Sequence, residues 1–480
     1  MNIFTAPLSE RYRKYVSFNT YYVPNVAISN VLLWSAIIIS YCIVNAPKDK
    51  LSGALTKLLS IFKEYLNVTS LQNTILYQIL IPLKGLLFSV SFLIIISPLI
   101  IDLFNSKSVW KKIKIRYLAC VALIIFIILS LLVFPYSYPE GLNSNVSGLS
   151  GMGVEYGRMT RDPFSENTGW YYHRILKPFI AYFLQFRGFF LYYIFSLVNT
   201  YLLIWITLIF FEARKYFRYL DNPQKQWTAS SLSPTQKFLF YLSLATSSYI
   251  MVDFIWVGYV DQISFILILL MAIIPMSSQG RMSVIALCLL NHESSLFALV
   301  PLIIFCFPKK EIFQALLAIA FYLLIWFATR GSMANALATH SEVSVFKIFL
   351  ENWQLVMIGI FFSYKLLWLV FALLSYFLLM KKESMLFLSL LSMILFPIAL
   401  VGFAFDTTRN VGFGFLGILI SLDIWLQENQ DFPKWLYLTI SALLYINLLI
   451  PTYSIIVVYP PSLQDYPYRG LYQIIHSIFL

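Results

Sequence analysis

Residues 116–134 read Arg116-Tyr-Leu-Ala-Cys-Val-Ala-Leu-Ile-Ile-Phe-Ile-Ile-Leu-Ser-Leu-Leu-Val-Phe134. After Arg116 the run holds no charge. About 20 apolar residues, each rising about 1.5 Å along a helix, are what it takes to cross a hydrocarbon core of roughly 30 Å. Similar runs fall at about Asn25–Asn45, Gly85–Phe104, Phe189–Phe211, Phe238–Val257, Gln262–Met276, Ile312–Ala328, Lys365–Met380, Met385–Gly402, Val411–Gln427 and Trp435–Val458. A further run, Met282–Phe307, is interrupted by Asn291, His292 and Glu293; it reads as one kinked span or, preferably, a hairpin of short helices. The pattern predicts an all-α integral membrane protein of about 12–13 transmembrane helices.

Composition agrees. Of 480 residues, 60% are hydrophobic and 12% charged, with a mean hydropathy of +0.77. Water-soluble domains run at about 25% charged, so a soluble enzyme, a transcription factor and a disulfide-knit secreted domain are excluded. Cys42, Cys120, Cys288 and Cys306 each lie in an apolar run without paired spacing. The formal charge of +12 belongs to basic residues retained in cytoplasmic loops rather than to nucleic-acid binding. With the N-terminus inside, the inner segments hold most of that excess, anchored by Lys107–Arg116 and Arg214–Lys237. The expected location is the plasma membrane of a bacterium, with a cytoplasmic N-terminus.

The chain divides into three parts. Residues 1–115 carry a tail, two membrane helices and, over Leu51 to Leu66, an amphipathic stretch suited to the membrane surface. Residues 116–458 form a multispanning core with a long outer loop at 135–188. Residues 459–480 are an outer tail. A third long loop, Thr329–Trp353, carries Arg330, His340, Glu342, Lys347 and Glu351.

The 135–188 loop carries the densest chemistry. It contains Glu155-Tyr-Gly-Arg-Met-Thr-Arg-Asp162-Pro-Phe-Ser-Glu166, then Trp170-Tyr-Tyr-His173-Arg174-Ile-Leu-Lys177-Pro178, and ends in an apolar stretch, Ile175–Phe186, expected to be a helix on the outer face. Arginine forks bind phosphate oxygens bidentately, carboxylates accept protons, and aromatic faces stack on sugar rings. The same residues can also make mutual salt bridges on a solvated loop. Other ionisable residues fall at the outer ends of spans: Asp253 and Asp261 around the Gly258-Tyr259 turn, His292 and Glu293 in the interrupted run, Asp406 and Arg409 before Val411. Charges near a membrane interior are costly and tend to be paired, functional, or both. Asp406 and Arg409, three apart, can pair with each other.

This arrangement resembles the GT-C class of multispanning glycosyltransferases, which use polyprenyl-phosphate-linked sugars on the outer or lumenal face. The likeness rests on the acidic outer loop with Glu155 and Asp162, the stretch Tyr171–Pro178, a surface helix and many following spans; here the loop follows the third span rather than the first. It implies a sugar transferred from a polyprenyl-phosphate donor to a lipid, glycan or protein acceptor. Asp162 or Glu155 would be the catalytic base. Arg158, Arg161, His173, Arg174 and Arg409 would hold phosphate, and Asp253, Asp261, His292, Glu293 and Asp406 would complete the substrate site. A divalent metal is conceivable, though no ligand spacing demands one. The alternatives are a lipid-linked polysaccharide polymerase or ligase, and a secondary transporter or lipid flippase. No Walker A, GxSxG or HExxH pattern is present.

Overall fold

The computed structural model describes residues 27–45, 73–133, 152–164, 174–221, 233–330, 350–401, 407–427, 433–450, 452, 454–456 and 462–464. The regular structure of these residues is helical apart from one short antiparallel strand pair, β1 (Ser454–Ile456) with β2 (Ser462–Gln464), with turns between the helices. The amphipathic stretch at Leu51–Leu66, residues 331–349, Glu166, His173 and Asp406 lie outside the described residues.

The helices are α1 (Ala27–Asn45), α2 (Asn73–Asn105), α3 (Lys107–Lys112), α4 (Ile115–Val133), α5 (Met152–Met159), α6 (Leu176–Phe183), α7 (Phe189–Asp221), α8 (Pro234–Ala245), α9 (Ser248–Ile255) and α10 (Asp261–Ile273). They continue with α11 (Ser278–Asn291), α12 (Leu296–Cys306), α13 (Lys309–Arg330), α14 (Trp353–Tyr364), α15 (Leu367–Met380), α16 (Ser384–Leu400), α17 (Thr407–Gly412), α18 (Phe415–Gln427) and α19 (Lys434–Leu449). Three helices, within α2, α4 and α7, are long and apolar enough to cross a membrane, or up to five spans if the bent pairs α8–α9 and α14–α15 each count as one. Leu86, Leu93 and Ile101 on α2, and Leu123, Ile127 and Leu131 on α4, are exposed in rows that suit lipid contact rather than water.

The centre is built from α10 and α11, whose residues are apolar around almost the whole circumference and nearly all buried. They pack on each other; α7 covers α10, while α2 and α13 cover α11. The chain reverses at His292–Ser295: Arg281, near the start of α11, grips Glu311 near the start of α13 at 2.6 Å through two nitrogens, with its guanidinium over the Phe307 ring. Thus α12 returns to the end from which α11 began.

Several boundaries differ from the sequence expectation. The second helix begins at Asn73, while the stretch within it apolar enough to span is Pro82–Asn105, close to the expected start near Gly85; Pro82 and Pro98 are accommodated within it. The α6 helix is not laid on the surface: Leu176, Lys177 and Phe179 are buried, with Phe179 edge-on to Phe88 and Phe92 of α2. The last helix stops at Leu449, just before Pro451, because a residue preceding proline disfavours helical geometry.

Two helices are broken and meet at their breaks. The α8–α9 pair bends by 62° and the α14–α15 pair by 77°. Lys365 takes a positive φ of 51° at the second break, and its Nζ donates to Thr246 Oγ1 and to the Ile450 carbonyl, each at 3.0 Å. Asn447 accepts from the Leu366 N–H at 2.9 Å and donates to Ser243 Oγ at 3.1 Å. Such bonds satisfy the backbone groups that a break releases where no water reaches.

One end of the bundle is stapled by closed ion pairs. Asp102 accepts from the Ser277 N–H at 2.9 Å and from its hydroxyl at 2.8 Å, at the start of α11. Gly280 leaves room for this carboxylate, since a Cβ there would sit 2.0 Å from Oδ2. Arg214 meets Asp423 at 2.8 Å, and Lys237 pairs with Glu212.

Candidate functional site

At the opposite end, α10 starts at Asp261 and α11 finishes at Asn291. Because the two run antiparallel, these termini are adjacent: Asn291 Nδ2 donates to the Val260 carbonyl at 2.7 Å and to Ser264 Oγ at 2.8 Å. Ser295 Oγ lies 2.9 Å from Ser264 Oγ. His292 leaves the helix with an extended backbone, which turns its ring toward Asp261. The turn before α10 passes through Gly258 at a φ of 100°, in the region glycine favours. Gly153 of α5 approaches this turn so closely that a Cβ would lie 2.4 Å from the Val257 carbonyl.

Charged groups from distant segments converge here. Arg409 of α17 forks onto Asp261, its Nη2 3.1 Å from Oδ1, and lies 3.0 Å from His292 Nε2 with its guanidinium 4.6 Å above the Tyr259 ring. Asp261 Oδ1 is 3.8 Å from His292 Nδ1. Arg174 forks onto Glu293, with Nε 3.0 Å from Oε2, and donates to the Tyr156 hydroxyl at 3.2 Å. The Arg174 and Glu293 side chains retain 13% and 28% exposure, making this pair the partly open edge of an otherwise buried cluster. Burial works against the Arg174 charge, but Glu293 and Tyr156 outweigh it and keep the guanidinium protonated. Burial also raises the Tyr156 phenol against the pull of Arg174, so it stays a neutral hydroxyl.

Lys177 of α6 is fully buried. Its Nζ donates to the Tyr259 carbonyl at 2.5 Å and to Gln262 Oε1, while Gln262 Nε2 donates to Thr200 Oγ1 at 3.0 Å. Burial pushes the Lys177 ammonium down to about 7 against the attraction of Asp253 and Asp261. Asp253, at 1% exposure, lies within electrostatic range of Lys177, Asp261 and Arg409, yet neither of its oxygens has a hydrogen-bond partner among the described residues.

The residues singled out in the sequence therefore separate into two groups. Arg174, Asp253, Asp261, His292, Glu293 and Arg409 come together. Glu155, Arg158, Arg161 and Asp162 form a rim outside them: Glu155 pairs with Arg158 at 2.7 Å, Asp162 accepts from the Phe164 N–H at 3.1 Å, and Arg161 lies over the Phe189 ring at 5.2 Å. Arg409 pairs with Asp261 of another helix. His292 and Glu293, adjacent in sequence, serve different arginines. Lys177, Tyr156, Gln262 and Asn291 were not singled out as site residues; a lysine inside the apolar Leu176–Phe183 helix was the readable signal for the first.

Among the described residues no three carboxylate, imidazole or thiolate groups gather as a metal ligand set. Asp261 and His292 do meet, but Arg409 occupies both. The chain matches no protein-family model, and neither its sequence nor its fold finds a significant match among characterised proteins or solved structures.

Proposed function

We propose that the chain is a membrane glycosyltransferase that moves a sugar from a polyprenyl-phosphate donor to a lipid, glycan or protein acceptor at the outer face. The observation that carries this reading is the convergence of Tyr156, Arg174, Lys177, Asp253, Asp261, Glu293 and Arg409, drawn from distant segments, at one end of an apolar bundle. In this reading the helices make 13 crossings of roughly bilayer length or less, with the Asp102 end inside. At about 1.5 Å per residue, the 13 residues of α10 and 14 of α11 rise only about 20 Å, which in this reading sets the Asp261 end below the outer surface, with the partly exposed Arg174–Glu293 pair as its entrance.

The residues divide the work as follows. Arg158 and Arg161 at the exposed rim meet the lipid phosphate first. Arg174, partly open and already in a fork geometry, can trade Glu293 for phosphate oxygens, since guanidinium binds both anions in the same bidentate way. As the bond from sugar C1 to phosphate oxygen breaks, charge gathers on the phosphate, where fixed cations in a dry site stabilise it most. A phosphate leaving group needs little protonation, so the remaining requirement is one carboxylate to take the acceptor hydroxyl's proton.

The test is transfer by purified protein in nanodiscs, using radiolabelled mannosyl and glucosyl polyprenyl phosphates with octyl glucoside as acceptor. Label appearing in the glycoside supports the proposal. No transfer and no saturable binding of polyprenyl phosphate would refute it.

A transporter or lipid flippase is the second reading, favoured by the two broken helices that meet at Lys365 and Thr246, since discontinuous helices commonly build transport sites. Movement of polyprenyl phosphate across proteoliposomes without sugar transfer would select it.

A further inference from the structure

Outside the ion pairs of the cluster stands one carboxylate with nothing to hold. Arg409 forks onto Asp261, Arg174 onto Glu293, and Lys177 donates to Tyr259 and Gln262. Asp253 is buried like them, but both its oxygens are without a donor among the described residues. A buried acceptor left unsatisfied costs about 1–3 kcal/mol, and more when charged. A fold that keeps such a group at its charged end, on a helix otherwise made of apolar and small residues, is carrying an acceptor for something that arrives. Lys177, Arg409 and the like-charged Asp261 are all near enough to be felt, and none of them makes a direct ion pair with Asp253 among the described residues. The turn that follows holds Trp256 and Tyr259, their ring centroids 5.5 Å apart, both buried, with Arg409 over the Tyr259 face.

The loop carboxylates lack these properties. Glu155 is engaged by Arg158 at the surface, and Asp162 caps its own turn through the Phe164 N–H.

Building on the transferase reading, we propose that Asp253 is the catalytic base: its free oxygen accepts the hydrogen bond of the acceptor hydroxyl and takes its proton during transfer. The hydroxyl oxygen forms the new bond to the sugar's anomeric carbon, the bond from that carbon to the phosphate oxygen breaks with its electron pair, and the polyprenyl phosphate leaves held by arginine. Asp253 ends protonated and returns its proton to water once product departs. The acceptor is therefore a hydroxyl-bearing molecule that reaches the recessed floor of the site.

The experiment compares Asp253→Asn, Asp162→Asn and Glu155→Gln in the nanodisc assay, with polyprenyl phosphate binding measured separately. Asp253→Asn should lower turnover by about 10²–10⁴-fold while phosphate binding changes less than about threefold, and the two loop variants should keep turnover within about tenfold. Asp253→Gly with added formate supplies a second reading that does not depend on the amide: formate should restore part of the lost turnover, which a purely structural carboxylate would not permit. Near-normal turnover by Asp253→Asn, or a large loss confined to a loop variant, would overturn the assignment while leaving the transferase reading intact. Absence of transfer by the unaltered protein would remove both.

Discussion

The two ends of the bundle use the same residue types in opposite ways. At the Asp102 end the carboxylates are answered: Arg281 forks onto Glu311 while also donating to the Met276 carbonyl, Arg214 meets Asp423, and Asp102 Oδ2 accepts twice from Ser277. At the Asp261 end the partners are shared. Arg409 divides itself among Asp261, His292 and the Tyr259 face, Arg174 between Glu293 and Tyr156, and Asp253 is left with no donor among the described residues. Closed pairs fix where helices end, and opening one exposes an uncompensated charge. The Arg174–Glu293 pair, at 13% and 28% side-chain exposure, can be reached and hydrated when it opens. In the proposed reading, the end with the unpartnered Asp253 and the partly exposed Arg174–Glu293 pair is the site and the other end a staple.

The largest effect beyond loss of turnover should fall on the stapled end. Arg281→Met leaves Glu311 beside the bundle without its cation, and breaking a buried pair from one side costs about 3–5 kcal/mol. Thermal unfolding in detergent should show this loss, while polyprenyl phosphate binding by the folded fraction stays unchanged. Equal loss of binding would erase the distinction between the ends.

Next in size, Arg174→Gln should weaken polyprenyl phosphate binding by about 1.5–3 kcal/mol, the value of a charge-assisted contact. Its thermal unfolding should shift less than that of Arg281→Met, because Glu293 is partly exposed and can be hydrated. The reverse ranking would mean that Arg174 is a staple too.

A smaller effect concerns pH. Lys177 keeps its proton up to about 10.5 in the unfolded chain but releases it near 7 when folded, so between these values the unfolded state binds more protons and stability rises with pH. The contribution is at most about 1.4 kcal/mol per pH unit, and Lys177→Met should remove it from the unfolding midpoints measured over pH 7–9. Identical pH dependence in both proteins would place the ammonium in a wetter setting.

Smallest in energy, but decisive for orientation, is the side on which residue 147 lies. A cysteine in place of Ser147 should react with an impermeant reagent added from outside. Reaction only after permeabilisation would turn the whole site to the cytoplasm.

The helical bundle was readable because apolar runs report length directly. The breaks were not: Thr246-Ser247 and Lys365 are small interruptions within runs that read as continuous, and what stabilises them comes from Asn447 and Ile450 far along the chain. The site was half legible for the same reason. Ionisable residues inside apolar sequence announced themselves, so Asp253, Asp261, His292, Glu293 and Arg409 were found. The partner from another helix was not, because nothing in the sequence links Arg409 to Asp261, 148 positions away; Asp406, its sequence neighbour, lies outside the described residues. Lys177 was hidden by its place in a loop already rich in charge.

The most direct measurement is photocrosslinking of purified protein in nanodiscs with a photoreactive polyprenyl phosphate, its attachment sites read by peptide mass spectrometry. The expected result is labelling of peptides spanning 152–177, 256–262 and 407–412, suppressed by excess unlabelled polyprenyl phosphate. Labelling confined to the Asp102 end around 276–311, or scattered along the lipid-facing sides of α2 and α4 without competition, would contradict the assignment of the site.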